Sequence, residues 1–161
     1  MPLTAQIAKQ LRTLHFGGNW TDSSMKEHLE GLDWKTATTS VYSLNSIALL
    51  VFHMNYYLNA VILRLLGNPL SSKHELSFAI PPIQSDQEWR QLIEKTWVDA
   101  EIFASLIENM PEDKLWEKIS DQYGNYYENI QGVIEHNHYH LGQIVLLKKL
   151  LLALADKPVM S

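Results

Sequence analysis

The pair Asn125 and Glu128 carries the signature of a helix cap, and the stretch that follows keeps a helical pattern to about Ala155. The spacing predicts a helix from Tyr126 to about Ala155, the longest in the chain. Three more segments carry the same periodicity, and nothing reads as a strand. Four long amphipathic helices joined by structured loops predict an all-α protein, a four-helix bundle, with residues 1–161 forming one domain.

The other three helices are bounded by familiar signals. The first, "LTAQIAKQLRTLHF", has Thr4 as its cap and apolar residues at Ile7, Leu11 and Leu14, and Gly17-Gly18 stops it. The second long helix is expected from a Ser43 cap to about Leu66, where Gly67 and Pro69 end it. The third opens on Ser85 with Glu88 three residues on and runs to about Met110. Between them, "TDSSMKEHLEGL" predicts a short helix ending at Gly31. The stretches "DWKTATTSVYS" and "SSKHELSFAIPPIQ" are expected as loops, and "PEDKLWEKI" as a short turn.

Composition removes several classes of function. A net charge of -5 is the wrong sign for a phosphate-binding surface, so nucleic acid is not expected as a partner. With no cysteine, the chain can form neither disulfides nor thiolate metal sites. The richest apolar stretch, residues 44 to 66, contains Asn45, His53, Asn55, Asn59 and Arg64, too polar for a lipid-facing span. No secretory signal opens the sequence, and a cytoplasmic protein without a membrane partner is expected.

The histidines carry the chemistry. "IEHNHYHLGQI" places three of them at 136, 138 and 140 on the last helix. At about 100° per residue, His136 and His140 lie about 40° apart and one turn apart in height, so both can reach one ion. His138 lies about 200° from His136 and points away. A third ligand is needed from a facing helix, and His53 is the candidate. Its helix is apolar on nearly every side, where an unpartnered ring carries a desolvation penalty. A lone histidine there is more often a satisfied core residue; the His136–His140 pair shifts the balance. His15, His28 and His74 fall near helix ends or in loops, where solvated histidines are at home.

A histidine on the second long helix followed by "EHNHYHLGQIVLLKK" on the fourth resembles the DinB-like, or YfiT-like, superfamily of metal-binding four-helix bundles. His136, His140, Gly142 and Gln143 match that family's H-x-x-x-H-x-G-Q pattern. "FGGNW", "FHMNYYLNAVILRLLG" and "EWRQLIEKTWVDAEIF" extend the resemblance over most of the chain. The resemblance implies His53, His136 and His140 as the ligands, an up-down-down-up type of bundle, and frequently a homodimer.

Neighbouring residues complete the expected site. Asn129, His136, His140 and Gln143 share one stripe of the last helix within about 60°, and Gly132 lies on it. A mid-helix glycine costs about 1 kcal/mol against alanine, and room beside a metal or close helix packing would equally account for it. Gln143 can hydrogen-bond to a ligand ring or simply pack. Tyr57 shares the face of His53 and can line a pocket or belong to the core. Trp20, in the loop after the first helix, can overhang the site or only pin that loop.

Three neutral imidazoles would hold a divalent ion and leave a coordination position open. Zinc and nickel are the first choices, with iron or copper next, and magnesium or calcium suit such ligands poorly. The expected activity is that of a metal-dependent hydrolase or low-molecular-weight thiol S-transferase acting on a small molecule. A non-catalytic, stress-related metal- or ligand-binding protein is the alternative. No H-E-x-x-H motif is present, and Glu135 points about 100° away from His136, so no general base is evident. Apolar residues cover more of "IVLLKKLLLALA" than one bundle interface needs, and together with the resemblance they predict a symmetric homodimer.

Overall fold

Helix boundaries follow from which side chains can satisfy the free N–H groups at each start. Ser85 Oγ accepts from the N–H of Glu88 at 3.2 Å, and the Glu88 carboxylate accepts from the N–H of Gln84 at 2.6 Å. Asn125 and Glu128 cap reciprocally, each side chain accepting the other's backbone N–H at 2.8 and 2.9 Å. These two starts lie where the sequence puts them. Thr4 does not act as a cap. It lies inside the first turn, nearly buried, and the exposed N–H of Leu3 is met from across the fold by the Glu112 carboxylate at 2.7 Å. Ser43 is also displaced as a cap. Tyr42 adopts a left-handed φ of 54° and the chain turns there, so the helix starts after Ser46, whose hydroxyl accepts from Leu49 N–H at 3.3 Å.

The computed structural model describes residues 1–155; residues 156–161, the end of the expected single domain, lie outside the described residues. The chain is mainly helical: α1 (Leu3–Phe16), α2 (Met25–Leu29), α3 (Trp34–Thr38), α4 (Ile47–Leu65), α5 (His74–Ser77), α6 (Asp86–Glu108) and α7 (Tyr126–Ala155). A 3-10 turn, Glu112–Trp116, precedes two short antiparallel strands, β1 (Lys118–Ser120) and β2 (Gly124–Asn125).

Three short elements differ from expectation. Residues 34–38 form a helix turn because Asp33 accepts from both the N–H and the hydroxyl of Thr36, at 3.0 and 2.7 Å. That local cap outweighs the β-branched composition. Residues 74–77 form α5 within the expected loop, and the β1–β2 hairpin leads directly into the first turn of α7. Two- and three-residue strands are too short to leave an alternating pattern in the sequence.

Helices α1 and α4 each pack against both α6 and α7. The shared core includes Leu11 and Leu14 of α1, Leu50 and Met54 of α4, Phe103 and Ile107 of α6, and Ile130 and Ile144 of α7, all essentially inaccessible. Each such side chain contributes about 1.5–3 kcal/mol by leaving water. Helix α4 is long and apolar enough to cross a membrane, but 61% of its most apolar window is buried inside the protein. Its asparagines face α6. Asn55 Nδ2 donates to Thr96 Oγ1 at 2.7 Å, and Asn59 Nδ2 donates to Asp99 Oδ2 at 2.8 Å. Packed against α6 and α7 and mostly buried inside the protein, α4 is a core helix.

Candidate metal centre

The α4–α7 contact brings His53 opposite His136 and His140. His136 Nε2 lies 3.0 Å from His53 Nε2 and 3.0 Å from His140 Nε2. One ring nitrogen from each of the three lies within 4.8 Å of the other two, and no carboxylate joins them among the described residues. His53 and His140 are buried and His136 is half-buried.

The outer ring nitrogens determine what the inner ones offer. Ser77 is fully buried, and its hydroxyl donates to the carbonyl of His74 at 2.7 Å. Having spent its one proton, Ser77 Oγ can only accept from His53 Nδ1, 3.0 Å away. His53 therefore carries its proton on Nδ1 and a lone pair on Nε2. His140 is set the same way: its Nδ1–H donates to Gln143 Oε1 at 2.7 Å. Gln143 thus makes the ring contact that its place on the stripe allows. Such outer hydrogen bonds fix the orientation and basicity of metal-binding imidazoles.

Aromatic rings enclose the three. Phe78 stacks on His53 with centroids 4.2 Å apart, and Tyr57 meets His53 and His136 edge-on at 5.1 and 5.2 Å. Burial pushes the imidazoles of His53 and His136 down to about 4, and the proximity of His140 adds to the effect in each case. Both rings are therefore neutral near pH 7, the form that binds a cation.

The donor set fits a divalent ion. Two nitrogens each 2.0–2.1 Å from a tetrahedral zinc stand about 3.3 Å apart, so the 3.0 Å spacing needs only a small outward movement. A proton on His136 Nε2 can serve only one of the two facing lone pairs well, whereas a cation between the rings would engage all three nitrogens.

A cavity of about 470 Å³ opens beside the triad, a size suited to a small molecule. Its walls include His53, His136, Tyr57, Asn129 and Gly132, with Leu70 and Val133 supplying apolar surface. A Cβ on Gly132 would meet nothing within 4 Å, so this glycine lies on open space and not against another helix. Asn129 Nδ2 donates to the carbonyls of Tyr123 and Asn125, which leaves its Oδ1 as an acceptor.

Two placements depart from the sequence reading. Trp20 is 98% exposed and does not line this cavity. The turn through Gly17 and Gly18, both at positive φ, carries it beside Gln10 and Thr13 of α1 and beside His138. With so little of its surface covered, it does not pin the loop either. His15 is the second. Expected among the solvated histidines, it is fully buried against the core, with Nδ1–H donating to the carbonyl of Leu11 at 2.9 Å. His138 points away from the triad, and its Nδ1–H donates to the carbonyl of Ile134 at 3.0 Å.

Ser77 and Phe78 escaped the sequence reading because they belong to a segment without periodicity; His74, expected to be solvated, is exposed. The available signal was chemical: a buried imidazole on α4 needs an acceptor for its outer nitrogen, and the loop after α4 is rich in serine. No protein-family profile, no curated protein and no solved structure matches this chain.

Proposed function

We propose that this protein is a metal-dependent enzyme acting on a small molecule, built on a four-helix bundle of the DinB-like type, with His53, His136 and His140 holding one divalent ion. The observation that carries this reading is the convergence of the three Nε2 atoms beside an open cavity, with two rings anchored from behind by Ser77 and Gln143. The packing of α1 and α4 against both α6 and α7 supports the bundle. A divalent ion held there would supply Lewis acidity and lower the pKa of a bound water or thiol. Zinc and nickel suit the donor set best.

The chain's own groups do the rest. Ser77 and Gln143 hold two rings in the metal-binding tautomer. Phe78 and Tyr57 limit water around the rings, Gly132 leaves room for a substrate, and Asn129 Oδ1 offers it an acceptor. Among the described residues the one carboxylate on the cavity wall, Glu128, is about two turns of α7 from His136 and accepts the N–H of Asn125. With no carboxylate close to the triad among the described residues, transfer of a low-molecular-weight thiol, which needs no base, is favoured over carboxylate-assisted hydrolysis. The same absence supports a second reading, a non-catalytic protein that binds a ligand at its metal.

Metal analysis of untagged protein, followed by assays with zinc or nickel against thiol acceptors and activated esters, tests the proposal. Metal-dependent turnover lost in His53→Ala supports the enzyme. Stoichiometric metal without turnover supports the second reading, and failure to bind either ion removes both. Leu146, Leu152 and Leu154 of α7 are 57%, 51% and 45% exposed, which supports a homodimer. Sedimentation should then show a species of twice 18.5 kDa at micromolar concentrations, and a monomer alone would remove the dimer.

A further inference from the structure

Helix α4 borders two cavities. His53 and Tyr57 face the one beside the triad. Asn55 lies about 200° around the helix from His53, and with Asn59 it lines a separate cavity of about 330 Å³ between α4 and α6. Among the described residues only Ala60 lines both. The second cavity is walled mainly by apolar groups, with Phe52, Tyr56 and Leu63 contributed by α4 and Leu92 by α6. Its polar groups are few, and their hydrogen bonds show what they offer a ligand.

Thr96 Oγ1 donates its one proton to the carbonyl of Leu92 at 2.8 Å, so it can only accept from Asn55, 2.7 Å away. Asn55 must therefore present Nδ2 to Thr96 and turn Oδ1 the other way. Asn59 Nδ2 meets two groups that can only accept, the Asn55 carbonyl at 2.9 Å and Asp99 Oδ2 at 2.8 Å, and its amide is fixed in the same sense. Neither Oδ1 has a hydrogen-bond partner among the described residues, although Asn55 is only 5% exposed. An acceptor without a donor on so buried a side chain is a standing cost, which a ligand N–H would remove. The two amides stand one helical turn apart, with about 5–6 Å between their Cβ atoms.

Charge narrows the ligand further. Lys95 is on the cavity wall, and its ammonium donates to Asp99 Oδ2. Asp99 is 7% exposed and taken up by Lys95 and Asn59, so it offers no free carboxylate to a cation. An anion would meet two amide oxygens that can only accept. The group that suits this wall is uncharged and rich in N–H, on a body flat enough to lie among Phe52, Tyr56 and Leu92. We propose that the cavity binds an uncharged aromatic amide, whose NH2 donates to Asn55 Oδ1 and Asn59 Oδ1. The site is separate from the triad, and the inference needs no ion there.

Titration of the full chain with benzamide tests it, with the side-chain amide signals of Asn55 and Asn59 followed in nitrogen–proton NMR spectra. Both signals are expected to shift and saturate. Methyl benzoate, of similar shape but without an N–H, should bind about 10-fold more weakly. Benzoate and benzylammonium, which carry a charge of either sign, should also bind more weakly than benzamide. Asn59→Leu, which removes one acceptor and keeps the wall, should weaken benzamide about 10-fold and leave methyl benzoate unchanged. Equal binding of benzamide and methyl benzoate to the wild type would overturn the proposal, because the asparagine oxygens would then select nothing. So would shifts confined to the cavity beside the triad, or asparagine signals that do not move. The comparison of probes on the wild type decides the matter even where the Leu variant fails to fold.

Discussion

Helix α7 has a buried histidine against each of two faces, and the two arrangements have little else in common. On one face His53 meets His136 and His140, with outer nitrogens anchored by Ser77 and Gln143 and inner nitrogens converging. On the other, His15 is buried near His138. Each donates Nδ1–H to the carbonyl four residues before it, and His15 Nε2 has no hydrogen-bond partner among the described residues. Burial alone does not make a metal centre. A histidine tied to its own helix spends its donor locally and leaves an isolated lone pair, whereas the triad's anchors come from outside the ring set and aim two lone pairs at the third ring.

The largest test of this contrast is removal of rings from each face. His53→Ala, His136→Ala and His140→Ala should each abolish stoichiometric zinc or nickel binding, because two imidazoles are a poor site. His15→Ala and His138→Ala should leave the stoichiometry intact. Metal analysis after dialysis decides it; equal losses on both faces would erase the distinction.

The next effect belongs to His15. Burial lowers its imidazole to about 4, against an ordinary 6.5, with its bond to Leu11 opposing the shift and His138 adding to it. The folded state therefore resists protonation while the unfolded state accepts it. Its contribution is fully present above pH 6.5 and is lost as pH falls toward 4. A shift of this size corresponds to about 3 kcal/mol. In urea melts at pH 7 and pH 4.5, His15→Leu should lose less stability on acidification than the wild type. Identical losses would show that His15 does not titrate as a buried group.

How far the site can be read in the sequence follows from where each part resides. Helical phase is enough to pair His136 with His140 and to turn His138 away, because all three share one rigid element. The long helices and the Ser85 and Asn125 starts are readable for the same reason: caps and periodicity are local. His53 required an argument from burial, since nothing local says which helix it faces. Ser77 and Phe78 could not be placed, because a loop has no phase and their role exists only once α5 folds back on α4. His15 misled because nearness to a helix end in sequence says nothing about what packs over it.

The anchors give the third effect. Gln143→Leu and Ser77→Ala each free an imidazole to rotate and to change tautomer. Each should weaken zinc or nickel 10- to 100-fold, about 1.4 to 2.7 kcal/mol, while the three rings remain. Competition against a chelator measures it. On the opposite face no side chain plays this part, so His15→Leu should leave the same affinity unchanged. If Gln143→Leu binds as tightly as the wild type, the Gln143 bond is packing and not anchorage.

The smallest effect separates two glycines on α7. Gly132 and Gly142 both have helical surroundings in which a Cβ would meet nothing within 4 Å. Either substitution by alanine should therefore stabilise the protein by about 1 kcal/mol through helix propensity. Their neighbourhoods differ: Gly132 lines the cavity beside His136, and Gly142 does not. Gly132→Ala should thus raise the thermal midpoint but leave less space for a small molecule, while Gly142→Ala raises the midpoint with no such cost. An aromatic hydroxamate, which carries its own metal-binding group, makes a suitable probe with zinc-loaded protein. Weaker hydroxamate binding in Gly132→Ala alone, with unaltered zinc affinity, would show that the glycine keeps the cavity open. Equal hydroxamate binding in both variants would mean that the cavity is not where ligands approach the rings.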